Sequence, residues 1–238
     1  MTAVSEAQPS RRVGIVGGLG PESTIDYYRR ILKAWEREDP SSAPSLLIDS
    51  LDAQRALKLV ASDRAAFADY LFESTQRLTQ AGVDFVALSA NTAHIVFDDL
   101  SSRSRVPLLS IVDVCAAEAR RLGLRRLALL GTRFTMEERF YPAVFERLGM
   151  TIATPAAAAR QWVHQRYVDE LLKGDFRDET RRQFVAIVDR LREDERADGV
   201  ILGGTELPLL LTDVSIAGLP VLDTTALHVA AIVQRLRG

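Results

Sequence analysis

Short runs of apolar residues alternate along the chain with longer stretches whose apolar positions recur at helical spacing. The runs at 13–16, 45–48, 85–88, 108–111, 127–130, 199–202 and 220–222 have all-apolar centres. Such centres suit parallel strands covered on both faces, since a strand with one wet face alternates apolar and polar residues. Between the runs, residues 21–35 place Ile25, Tyr28, Leu32 and Trp35 at helical spacing behind Pro21, a residue suited to a first helical turn. Residues 135–148 open with Thr135 and Glu138, a capping-box pair, ahead of Phe140, Val144 and Leu148. Strand–helix alternation of this kind predicts an α/β fold with parallel sheets.

The pattern also repeats. VGIVGG, ending a strand at Gly17, parallels LALLGT, ending one at Gly131. FVALSANT, with Ala90 just past its strand, parallels GVILGGT, with Gly204 in the same place, and both separations are 73 residues. VPLLSIVDV and LPVLDTTAL form a third pair. The repeat predicts two pseudo-symmetric α/β domains, each with a parallel sheet flanked by helices and with a site in the inter-domain cleft. The expected boundaries are 12–112 plus 224–238 for the first domain and 113–223 for the second, with 1–11 as a flexible N-terminal tail.

Composition narrows the function classes. The 238 residues are 47% hydrophobic, enough apolar surface to rule out disorder as the main state. Thirty Lys+Arg against 32 Asp+Glu lack the basic excess of a nucleic-acid binder. No apolar run reaches the ~18 residues of a spanning helix, and the polar start MTAVSEAQPSRR lacks a signal peptide's apolar segment. A cytoplasmic protein with neither membrane nor nucleic-acid partners is expected, with a homodimer left open. The single cysteine, Cys115, excludes an internal disulfide, and at a helical position in VDVCAAEA it reads as a buried, inert thiol. His94, His164 and His228 are too scattered for a metal cluster.

Three stretches carry candidate chemistry. Gly17–Ser23, with Gly18 near its start, reads as an anion-facing strand-to-helix turn. It misses the dinucleotide fingerprint, so no cofactor is expected. Ser89-Ala90-Asn91-Thr92-Ala93-His94 offers hydroxyl and amide donors for a carboxylate, or else helix caps. Gly203-Gly204-Thr205-Glu206 offers a donor in Thr205 and an acid/base in Glu206, or else a helix start with an acid in its favourable first turn. His94 and Asp49 are further proton-transfer candidates, although His94 reads first as a helix-surface or supporting residue.

Together these stretches resemble the cofactor-independent aspartate/glutamate racemase family. The similarity rests on GIVGGLGPESTIDYY, ANTAH at 90–94, GTRFTME at 131–137, GGTELPLLL at 203–211 and PVLDTTALH at 220–228. It implies an amino-acid racemase or isomerase acting on a small carboxylate or amino acid held in a cleft, without cofactor or metal. It implies that the helix after Thr224 packs on the first domain and the helix after Asp113 on the second. Asn91, Thr92, Thr132, Thr205, Ser50 and Gly18 are the implied substrate-binding residues. The family's usual chemistry uses two cysteines on opposite faces of the substrate. This chain has Ala90-Asn91-Thr92 and Gly204-Thr205-Glu206 where the family usually has Cys-Asn-Thr and Cys-Thr-Glu. Trp162 stands near a position where related enzymes can carry a substrate-binding lysine. Glu206 and His94 are then the catalytic candidates. Single-faced proton chemistry (isomerase, decarboxylase or lyase) and carboxylate binding without turnover are the alternatives, and the two missing side chains suggest room for a substrate bulkier than aspartate.

Overall fold

The computed structural model describes residues 11–238, so the expected tail at 1–11 lies, apart from Arg11, outside the described residues. The first sheet is parallel in the order β2-β1-β3-β4, from β1 (Arg12–Gly17), β2 (Ser45–Ser50), β3 (Phe85–Leu88) and β4 (Leu108–Leu109). Its connections are α1 (Pro21–Glu38), α2 (Ala53–Ser62), α3 (Arg64–Gln80) and α4 (Phe97–Arg103), and α5 (Ile111–Arg121) leads onward. The second sheet uses β5 (Arg126–Gly131), β6 (Thr151–Ala153), β7 (Gly199–Gly203), β8 (Ser215–Ile216) and β9 (Leu219–Asp223). Its order is β6-β5-β7-β9-β8, parallel except for β8. The remaining helices are α6 (Arg133–Glu137), α7 (Phe140–Arg147), α8 (Ala157–Asp169), α9 (Asp178–Glu195), α10 (Leu207–Leu210) and α11 (Thr224–Arg237).

The α/β architecture read from the pattern is present, as two halves each built on a parallel sheet. The orders β2-β1-β3-β4 and β6-β5-β7-β9 correspond strand for strand. Val16 pairs with Leu88 in one and Leu130 with Leu202 in the other. Ala90 and Gly204 therefore sit two residues beyond equivalent points. In each sheet the strand order reverses beside the central pair, and the loops there form the crevice where open α/β sheets bind ligands.

Helices tie the halves together by packing across them. On α11, Val229, Ile232, Val233 and Leu236 are buried with Tyr27, Ile31 and Trp35 of α1. On α5, Val112, Cys115 and Ala119 are buried with Leu127, Leu129, Tyr141 and Phe145 of the second half. Among the described residues no helix is long and apolar enough to cross a membrane.

Two local expectations are corrected. The buried stripe of α1 is Tyr27, Ile31 and Trp35 together with Ser23 and Thr24, whereas Ile25 and Tyr28 are each 43% exposed. An apolar count overlooks Ser23 and Thr24, whose hydroxyls donate to the carbonyls of Ser89 (3.3 Å) and Gly20 (3.2 Å) and so can be buried without loss. The stretch 135–148 is two helices, with Glu138 extended between them. Thr132, not Thr135, is the N-cap, accepting from the Thr135 N–H at 3.3 Å. A continuous helix would set the ring of Pro142 against the carbonyl of residue 138, which is where the break falls.

Two imidazoles are locked neutral in this frame. His228 accepts from the Tyr27 hydroxyl at Nδ1 (2.9 Å) and donates from Nε2 to the Leu109 carbonyl (3.1 Å). His94 accepts from the Ile111 N–H at Nε2 (3.1 Å) and donates from Nδ1 to the Ala90 carbonyl (3.1 Å). Burial pushes their pKa values down to about 3 for His228 and about 4 for His94. The unfolded chain then binds more protons than the native state at mildly acid pH. The stabilisation is full above about pH 6.5 and is lost as pH falls through about 4 and then about 3. Urea-unfolding midpoints from pH 8 to pH 4 should decline from about pH 6.5 downward, each histidine accounting for on the order of 3 kcal/mol. His228→Gln, which keeps a donor and an acceptor, should flatten that decline; an unchanged slope would mean the imidazole is not held neutral.

Candidate functional site

The loops following β1, β3, β5 and β7 converge on a cavity of about 50 Å³ between the halves. Ala90 and Gly204 both line it, as do Asn91, Thr92, Thr132 and Thr205. Among the described residues its only ionisable lining groups are Glu206 and Tyr167. Glu206 is 2% exposed. Its Oε2 accepts from the Tyr167 hydroxyl and, at 3.1 Å, from the Thr205 hydroxyl. Its Oε1 is buried with no partner. That oxygen lies against Gly20, where a Cβ would collide with it, so a glycine is needed to let the carboxyl approach the start of α1.

The electrostatics assign different states to the two groups. Burial raises the Glu206 carboxyl above the usual range, only partly offset by the hydroxyls of Tyr167 and Thr205. Burial, reinforced by the negative charge of Glu206, holds the Tyr167 phenol well above its usual value. Tyr167 is thus a fixed donor and Glu206 the group that titrates. Sequence reasoning missed Tyr167. Its signal was the buried i, i+4 pair Val163 and Tyr167 on α8, which turns the phenol toward the cleft.

Around this pair, the Thr92 and Thr132 hydroxyls meet across the cleft at 2.9 Å. Asn91 lines the cavity, yet both ends of its side chain are engaged. Its Oδ1 accepts from Tyr141 (2.6 Å) and its Nδ2 donates to Thr224 (3.1 Å). Four sequence-level candidates lie outside the lining. His94 has both ring nitrogens bonded to backbone, leaving no free site for proton transfer. Asp49 pairs with Arg77 of α3 at 2.7 Å. Ser50 is exposed. Gly18, at φ +78°, donates its N–H to Thr24 at 2.8 Å and shapes the turn. Trp162 packs against Phe184, ring centroids 5.5 Å apart, rather than facing the cleft. Among the described residues no group of three or more His, Cys, Asp or Glu is arranged to hold a metal ion.

The profile of the Asp/Glu/hydantoin racemase family matches residues 16–232. The chain belongs to this family. A broad-specificity amino-acid racemase, RacX, from Bacillus subtilis (strain 168) is 24% identical over 224 residues, covering 90% of this chain and 93% of the relative. An aspartate racemase homologue from Pyrococcus horikoshii OT3 superposes with a TM-score of 0.81 at 30% identity, covering 96% of this chain and 100% of that one. A candidate Asp/Glu racemase from Yersinia pestis gives a TM-score of 0.85 at 31% identity, covering 95% and 99%.

Within this racemase fold, the room expected from a missing side chain at Gly204 is not free. A Cβ on Gly204 would lie 2.5 Å from the ring and hydroxyl of Tyr167. The phenol therefore fills the space a side chain at 204 would take. Gly204→Cys should lower the thermal midpoint, equivalent to about 1–3 kcal/mol of overpacking, and adding Tyr167→Ala should recover part of it. An unaffected midpoint in Gly204→Cys would mean that Tyr167 swings aside freely. In the same assay Asn91→Ala should cost about 1–3 kcal/mol by orphaning the buried Tyr141 hydroxyl, whether or not an amino acid is present.

Proposed function

We propose that this racemase-family enzyme moves the α-proton of an amino acid, without a thiol, through the carboxyl of Glu206. The observation that carries this reading is the unpartnered, buried Oε1 in a cavity whose only other ionisable lining group, among the described residues, is the protonated Tyr167. Oε2 is held by two hydroxyls, so Oε1 is the atom free to take and return a proton. A carboxyl with a raised pKa is a better match to a weakly acidic C–H than one in the ordinary range. The Thr92 and Thr132 hydroxyls are positioned to receive the substrate carboxylate, which gains charge as the proton leaves.

The opposite face is bare. Ala90 presents a methyl group where the family usually has a thiol, and His94 behind it is closed off. Proton return from the Glu206 side restores the starting configuration, so exchange should outpace inversion. This one-sidedness separates the proposal from two-thiol racemisation, and from binding without turnover.

The test is deuterium wash-in at Cα with chiral analysis of the recovered amino acid. Wild type should incorporate deuterium faster than it inverts. Glu206→Gln should lose roughly 10²–10⁴-fold of the exchange rate, the usual contribution of a positioned acid or base. Tyr167→Phe, which removes a hydrogen bond to the carboxylate, should shift the rising limb of the pH profile upward. Exchange that survives in Glu206→Gln, or inversion as fast as exchange in wild type, would sink the proposal.

A further inference from the structure

We infer that the substrate's side chain is aliphatic, not acidic; this rests on the amino-acid reading of the cleft and specifies its substrate class. The cavity is chemically two-ended. One end carries Thr92, Thr132, Thr205 and Glu206, and the other is walled by Leu19, Ala56, Leu57, Val60, Phe67 and Leu172. The apolar wall is continuous with the first half's core, where Ala56, Val60 and Phe67 are buried with Val86 and Leu88. An α-amino acid whose head sits at the polar end must place its side chain against that wall.

A side-chain carboxylate would find no counter-charge there. Among the described residues no Lys, Arg or His lines the cavity. The nearby cations are turned elsewhere: on α2, Arg55 is exposed with its guanidinium 4.5 Å from the centroid of the Tyr70 ring, and Lys58 is exposed. Arg133 lines a separate groove beside His164 and Asp169. A buried, unpaired carboxylate loses its hydration with nothing in return. It would also be repelled by Glu206 whenever that group is ionised. A small aliphatic side chain has neither penalty, and the volume of about 50 Å³ favours short chains over long ones.

The test is isothermal titration calorimetry of the full chain with the enantiomers of valine and of aspartate. One valine enantiomer should bind roughly tenfold or more tightly than either aspartate, a modest demand given the cost of burying an unpaired charge. Leu57→Arg, at a half-buried wall position, should reverse the preference toward aspartate, with Leu172→Arg as a second placement should the first not fold. Aspartate binding as tightly as valine in wild type overturns the inference, as does an unchanged ratio in a folded arginine variant. Aspartate preference with Glu206-dependent exchange would overturn only the side-chain assignment and leave the proton-transfer reading intact. Valine preference without exchange would support the assignment and overturn that reading. Failure of all four ligands to bind would overturn both.

Discussion

The cleft depends on one buried chain of hydrogen bonds that passes through Asn91. The Tyr141 hydroxyl donates to its Oδ1, its Nδ2 donates to Thr224, and the Thr224 hydroxyl donates to the Leu202 carbonyl at 2.7 Å. Every step has a donor and an acceptor in one consistent direction, which is what a buried polar network requires to stabilise a single arrangement. It joins the loop after β3 to α7, to the first turn of α11 and to the end of β7. Ala90 directly precedes Asn91 in this chain, and Gly204 lies two residues beyond its Leu202 end. The separation of the loops that face the ligand is thus set by an amide, not by the ligand.

That rigidity gives meaning to what fills the cleft. At position 204 the absence of a Cβ and the presence of the Tyr167 ring are one feature, because the two cannot occupy the same space. At position 20 the absence of a Cβ and the approach of Glu206 Oε1 are likewise one feature. Two glycines on opposite halves therefore admit a phenol and a carboxyl that touch each other. In the loop after β7, the space beside Gly204 is taken by a phenol that donates to the carboxyl of Glu206.

The sequence made the strand ends legible because buried parallel strands have no alternation to confuse and the 73-residue repeat marks equivalent loops. The place of Ala90, Asn91, Thr92, Thr132, Thr205 and Glu206 in the cavity lining is legible that way, since each closely follows a strand and strand-end loops line the crevice. Tyr167 could not be found so easily. It comes from a helix whose sequence, AAARQWVHQRYVD, has apolar residues on several sides, and its role depends on a glycine 37 positions later. The buried face of α1 was misread for a related reason. Hydroxyls that bond to backbone count as polar in a pattern yet pack as core in the fold, as Ser23 and Thr24 do. Asn91 is legible in the sequence as a strand-end loop residue, but its role in joining the halves needs Tyr141 and Thr224, neither of which any local motif brings to it.

The burial behind the role proposed for Glu206 also sets a limit on the fold. A carboxyl with a raised pKa binds its proton more tightly in the native state than in the unfolded chain, so its ionisation favours unfolding as pH rises through the native value. His94 and His228 act in the opposite sense, because their burial stabilises the native state only while they stay neutral. A base in Glu206 works only when ionised, on the side where the fold is giving up stability to hold it. Thr205 and Tyr167 reduce that cost by donating to Oε2, and each hydrogen bond that stabilises the anion also weakens it as a base. Leaving Oε1 without a partner is the compromise between the two demands. On the proposed reading it leaves one oxygen free for proton transfer.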